Sequence, residues 1–240
     1  CLVGSEMCIR DRVITMSISS ALGAVIMPRT SNLIAEERMD EFKALVQKSY
    51  DFIFALAMPL MVGLIFTSPS AVLLLSGEGF VPAILTSQIV AFNILMVGLS
   101  GVMGIQVLYP LGKINIVILC TSIGAIINVF LNVLLIPRYG HNGTAVAYML
   151  AEMAVTVSMF FIGKRYIPIR FLKRQHLNYV LGSVVMGVCL YFISWLGLGN
   201  TATLVMMISM GGIVYVVILL FLRDSIGMIP WRILREKFGK

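Results

Sequence analysis

The 240-residue chain is 59% hydrophobic and 12% charged, with a mean hydropathy of +0.98 and a formal net charge of +7. Those proportions exclude a soluble globular domain and make a lipid bilayer the solvent for most of the surface. The positive charge does not mark a nucleic-acid partner, because Lys and Arg lie between apolar runs instead of clustering on one face.

Residues 1–12 begin with Cys1 and lack both helical periodicity and the basic-then-apolar order of a signal peptide. They read as a non-native, adapter-derived leader, with the native frame starting near Val13. Cys120 and Cys189 lie in separate apolar runs without metal-ligand spacing, so neither a disulfide framework nor a metal site is expected, and no cofactor is implied.

Seven apolar segments follow, at 13–27, 51–68, 83–109, 114–136, 143–162, 178–197 and 201–222. Runs of about twenty apolar residues cross roughly 30 Å of hydrocarbon, and the first segment here is short because the frame opens inside it. Backbone groups at that depth must be satisfied internally, and these runs lack the alternation of barrel strands. The expectation is an all-α, polytopic transmembrane helix bundle.

Residues 31–50 place Phe42, Leu45 and Val46 at helical spacing among charges, which predicts an amphipathic surface helix. Asp51, at the start of the second segment, is expected to stabilise a helix N-terminus. Pro59 followed by Gly63 predicts a kink. Pro69 followed by Val72, Leu73, Leu74 and Leu75 predicts a short interfacial helix at 69–76.

Asn93 and Gln106 are polar positions of the third segment. In the fourth, Asn128 and Asn132 are four residues apart and share a helix face with Gly124 and Thr121. That face suits either a hydrophilic cavity or interhelical hydrogen bonding. Glu152 lies nine positions into the fifth segment with no Lys or Arg in its own helix, and an ionisable residue there is a functional-site hypothesis. It offers a place for a coupling proton or sodium ion, or a hydrogen bond to a substrate sugar; the alternative is a glutamate that ties two helices together.

Cationic residues occupy alternate connections: Arg29, Arg38, Lys43 and Lys48; Lys113; Lys164, Arg165, Arg170, Lys173 and Arg174; and Arg223, Arg232, Arg235, Lys237 and Lys240 in the tail. Outside the leader, the other connections hold only Arg138. Positive residues are retained on the cytoplasmic side, so the C-terminus is expected there. The connection 164–175 is expected to rest on anionic headgroups, with Ile167, Ile169, Phe171 and Leu172 dipping inward. His141 and His176 read as isolated residues in connections on opposite sides, and without a phosphate loop or histidine pair an enzyme is not expected.

Four stretches carry a family resemblance: 25–31 (VIMPRTS), 75–80 (LSGEGF), 106–113 (QVLYPLGK), and 128–140 (NVFLNVLLIPRYG) leading into 143–147 (GTAVA). The chain from 13 to 164 resembles the polysaccharide biosynthesis flippases of the multidrug/oligosaccharidyl-lipid/polysaccharide exporter superfamily. The resemblance implies a MATE-like transporter fold of two pseudo-symmetric six-helix lobes around a cavity, with rocker-like alternating access and often two extra C-terminal helices. The segments would be the end of the eighth helix and then the ninth to fourteenth. Residues 13–164 are thus the truncated second lobe, and 165–240 a basic connection, two additional helices and a cytoplasmic tail.

The function so implied is a flippase moving undecaprenyl-pyrophosphate-linked oligosaccharide repeat units across the bacterial inner membrane for O-antigen or exopolysaccharide synthesis. A nearby branch of relatives flips the peptidoglycan precursor. The competing readings are a cation-coupled multidrug exporter of the same superfamily, which needs acidic residues in both lobes, and a membrane-embedded glycosyltransferase or polymerase, which needs large outer loops that the sequence lacks. Glu152, Asn128, Asn132, Arg29 and Gln106 are the expected substrate- or ion-binding residues by position. No Lys or Arg lies mid-segment, so most cations for a pyrophosphate are expected in the other half of the protein.

Overall fold

A computed structural model describes Gly23 and residues 25–170, 173–196 and 199–222. The leader, most of the first apolar segment, Phe171, Leu172 and the basic tail from Arg223 lie outside the described residues. Among the described residues every regular element is helical. They are α1 (residues 25–35), α2 (Met39–Ser76), a 3-10 turn (Glu78–Phe80), α3 (Pro82–Gly101) running on as a π-helix (Val102–Leu108), α4 (Ile114–Gly163), α5 (Arg174–Ser194) and α6 (Asn200–Phe221). Among the described residues five helical runs are long and apolar enough to cross a membrane. Ile126, Val133, Phe161 and Phe192 face outward and are exposed, as they must be where lipid is the solvent.

The expected surface helix at 31–50 does not stand alone. Glu37, at φ 58°, ends α1: its N–H reaches Ile34 O at 3.1 Å and the N–H of Arg38 reaches Leu33 O at 2.9 Å. This is a Schellman arrangement, and it divides the amphipathic stretch between the end of α1 and the start of α2. Asp51 consequently lies about three turns inside α2 instead of at a helix N-terminus, so the dipole role expected for it is corrected.

Residues 69–76 also differ from expectation, because α2 runs straight through Pro69 to Ser76 and stops at Gly77, at φ 80°. A proline inside a helix strands the carbonyl four residues earlier. Here Ile65 O receives Gln88 Nε2 from α3 at 3.1 Å and Ser68 Oγ at 3.0 Å, so the helix continues without an orphaned acceptor. Pro59 releases Ala55 O in the same way, and Tyr215 of α6 donates its hydroxyl to that oxygen at 2.6 Å. Neighbouring helices re-satisfy what the prolines free.

The fourth and fifth apolar segments join as α4, whose one non-helical residue is Gly140, at φ 55° and ψ −130°. Only glycine adopts that conformation readily, and it folds α4 into two arms, 114–139 and 141–163. The arms touch closely. A Cβ on Gly124 of the first arm would stand 2.2 Å from Val155 Cγ2 of the second, and one on Gly143 would stand 2.6 Å from Leu135 O. Thr86 Oγ1 donates to Asn142 Oδ1 at 2.6 Å and fastens the fold-back to the start of α3.

Two apolar clusters result. One joins Phe42, Val46 and Ile53 of α2 to Met103 and Val107 of the π-helix and Met159 of α4; the other joins Ala55 of α2 to Tyr179 and Leu190 of α5 and Met207 of α6. The connections rich in Lys and Arg meet at one end, where Lys113 Nζ lies 5.0 Å from the Tyr166 ring centroid and Lys173 pairs with Asp51 at 3.0 Å. We call this the basic end.

Tyr215→Phe leaves Ala55 O unpaired in the interior and should destabilise the bundle by about 1–3 kcal/mol. In a thermal-unfolding cycle of the detergent-solubilised protein, Pro59→Ala should recover most of that loss by restoring an amide donor. Additive losses would show that the hydroxyl does not serve the freed carbonyl.

Candidate functional site

A cavity of about 670 Å³ opens between α3, the π-helix and both arms of α4. Small residues make room for it: Ser100 and Gly101 end α3, Gly104 lies within the π-helix, and Thr121, Gly124 and Ala125 line the first arm. The wider π turn places Gly104 and Ile105 on the cavity wall and turns Gln106 away from it. Gln106 is 2% exposed, and Ser49 of α2 donates to its Oε1. Short π stretches recur at functional sites because they re-aim side chains within an otherwise regular helix.

The polar groups of the wall come mainly from α4. Asn128 lines the cavity from the first arm, and Glu152 and Tyr148 line it from the second, one turn apart. Asn132 Nδ2 donates to Asn128 Oδ1 at 3.0 Å and to Asn128 O at 2.9 Å. That pairing holds the Asn128 side chain in place on the wall. Asn132 Oδ1 is buried without a hydrogen-bond partner. Thr156 Oγ1 bonds Glu152 O at 2.9 Å and Met96 O at 3.1 Å, tying the second arm to α3 one turn beyond the carboxylate. Most of the remaining wall is apolar, including Val97, Val117, Val129 and Val155. A carboxylate and an amide on the wall of one such cavity can hold a proton, a cation or a sugar hydroxyl; among the described residues no group of three or more His, Cys, Asp and Glu is placed to hold a metal ion.

The family model described as lipid II flippase MurJ matches residues 13–223. The chain belongs to the MurJ lipid II flippase family. A solved structure of lipid II flippase MurJ in an inward closed conformation superposes on 93% of this chain and 46% of that one, with a TM-score of 0.74 at 17% identity. The probable low-salt glycan biosynthesis flippase Agl15 of Haloferax volcanii is 26% identical over 212 residues, which are 88% of this chain and 45% of that protein. An uncharacterized membrane protein of Methanocaldococcus jannaschii, MJ1068, is 21% identical over 173 residues, 72% of this chain and 34% of that protein. The chain thus spans about half the length or less of these proteins. The MurJ-type fold matches the MATE-like, all-helical membrane architecture expected from the sequence, and the matching family model is that of a flippase.

Of the expected site residues in this MurJ-family chain, Glu152 and Asn128 share the cavity wall. Asn132 stands behind Asn128, Gln106 is buried against α2, and Arg29 is exposed on α1, outside the cavity lining. Tyr148, Ser100 and the π-helix were not singled out from the sequence. Tyr148 had a readable signal, standing four residues before Glu152; the π-helix had none, because its composition matches the helix it extends. His176, read as isolated, is instead buried in the first turn of α5 and bonded to Asp51 at 3.0 Å, a partner 125 positions away in sequence.

Because Gly124 lets the α4 arms approach beside the cavity, Gly124→Ala should destabilise the bundle by about 1–3 kcal/mol through overpacking. Val155→Ala added to it should restore most of the melting temperature, since the clashing methyl belongs to Val155. A melting temperature unmoved by Gly124→Ala would show that the arms are not in contact there.

Proposed function

We propose that this MurJ-family chain is the half of a lipid-linked glycan flippase that contributes the Glu152–Asn128 wall of the translocation cavity. The polar headgroup passes along that wall while the prenyl tail stays in lipid, and no covalent chemistry is required. The observation that carries the proposal is the meeting of Glu152 and Asn128 in one cavity walled by two arms of a single folded helix. A half-buried carboxylate costs too much at membrane depth to be kept without a task. Glu152 carries the coupling proton or sodium ion, or accepts a sugar hydroxyl, and Asn132 holds the Asn128 amide in place. Gln106 holds the π-helix against α2, and exposed Arg29 meets headgroup phosphate.

Within the class of lipid-linked glycans, the peptidoglycan precursor and the undecaprenyl-pyrophosphate repeat units of O-antigen or exopolysaccharide share a pyrophosphate and a prenyl tail and differ in their sugars. The family description favours the first, and the likeness to a glycan biosynthesis flippase keeps the second in the test. The deciding experiment replaces the gene in its host with a null allele or with Glu152→Gln and follows both glycans and the leaflet on which their lipid-linked precursors accumulate. The null should trap one precursor on the cytoplasmic leaflet, and Glu152→Gln should reproduce that defect with normal membrane insertion. Full translocation by the Gln variant would return Glu152 to a packing role, and normal glycans with altered drug efflux would indicate an exporter.

We further propose that the basic end faces the cytoplasm of a bacterial inner membrane. A cysteine at Asn200 should then react with an impermeant thiol reagent added to intact cells and one at Gln175 should not; the reverse pattern would invert the topology.

A further inference from the structure

A second polar cluster, apart from the cavity, lies between α2 and α5 at the basic end. Asp51 is 9% exposed and its two carboxylate oxygens take three donors. Lys173 Nζ reaches Oδ2 at 3.0 Å, while Gln47 Nε2 at 2.8 Å and His176 Nε2 at 3.0 Å reach Oδ1. His176 Nδ1 accepts the backbone N–H of Lys173 at 3.2 Å, so the ring proton sits on Nε2 and is donated to Asp51. The same Nδ1 contact caps the first turn of α5. The rings of Phe54, Tyr50 and Tyr179 stand 4.8, 5.4 and 6.1 Å from the imidazole and shield it.

About one turn further along α2, Tyr215 of α6 donates to the carbonyl released by Pro59. Beyond that, α5 lies against α2 at Gly187, where a Cβ would stand 3.0 Å from Val62 Cγ1 and 3.1 Å from Phe66 Cε2. At both polar contacts a group of α2 takes its partner from α5, from α6 or from the connection that leads into α5. Sliding either helix along α2 by part of a turn would strand a carboxylate or a carbonyl in apolar surroundings.

We propose that α5 and α6 form a strap pinned to α2 through Asp51–His176 and Ala55–Tyr215, and that α2, α5 and α6 move as one body while the carrier works. The proposal rests on the carrier reading above for its second half; the pins themselves stand on the contacts alone. Movement during transport is then taken up elsewhere in the protein, and the strap keeps the carbonyl released by Pro59 paired throughout.

The test uses the whole protein in its host membrane, with its native cysteines replaced by alanine and the pair Val62→Cys and Gly187→Cys introduced. The spacing at that point suits the roughly 3.5–4.5 Å Cβ separation of a disulfide. Oxidation should cross-link the pair completely and leave translocation of the lipid-linked glycan as it is in the reduced sample. His176→Ala or Tyr215→Phe in the same background should slow cross-linking about tenfold, since each loosens one pin. Translocation lost on oxidation and regained with a reductant would overturn the proposal, because α5 would then have to move against α2. Cross-linking that proceeds at the parent rate in both pin variants would overturn the assignment of the pins. A reduced protein that moves no lipid-linked glycan would defeat the carrier reading, and the cross-linking rates would still decide the pins.

Discussion

The arrangement of this helix bundle depends on one constraint: at membrane depth a backbone carbonyl that loses its own helix's N–H must find another donor. α2 loses two, at Ala55 and Ile65, because of Pro59 and Pro69. Tyr215 of α6 supplies one donor, and Gln88 of α3 with Ser68 of α2 itself supplies the others. The prolines therefore recruit neighbours to α2 instead of breaking it. Each such bond contributes about 0.5–1.5 kcal/mol net, and a buried acceptor left without it costs more, so the positions of α3 and α6 along α2 are specified by chemistry as well as by shape.

With α2 as the spine, the two apolar clusters divide the work. The cluster at the basic end joins α2 to the π-helix and the arms of α4, and so supports the cavity wall. The other holds α5 and α6. The cavity exists because glycines and small residues occupy the facing surfaces of α3, the π-helix and α4, where larger side chains would fill the space. The same smallness that lets the α4 arms touch at Gly124 leaves room beside it for the cavity that Asn128 and Glu152 line. Packing and the cavity thus draw on one set of residues.

Much of this was legible in the sequence. The apolar segments and the break between residues 136 and 143 follow from the length of hydrocarbon to be crossed and from the requirement for internal hydrogen bonds, and the cationic residues mark alternate connections. Glu152 and the Asn128–Asn132 spacing were also legible, because an ionisable or amide side chain in an apolar run stands out against its neighbours. Gln106 stood out by the same rule, yet its partner is Ser49, which no local pattern announces.

The sequence by itself determined an all-helical membrane bundle, the segments that build it and the polar residues placed at depth, since hydropathy and helical period are local properties of the chain. Only the tertiary structure decided which polar residues meet. It put Glu152 and Asn128 in one cavity, gave Asn132 to Asn128 and Gln106 to Ser49, and joined Asp51 to His176 across 125 positions. It also decided that α2 continues through Pro69 and that α3 passes into a π-helix. The physical reason is common to these cases: whether a proline ends a helix, or a buried amide serves a ligand or a neighbour, depends on which donors another helix brings within about 3 Å. That distance is set by packing, which no single stretch of sequence contains.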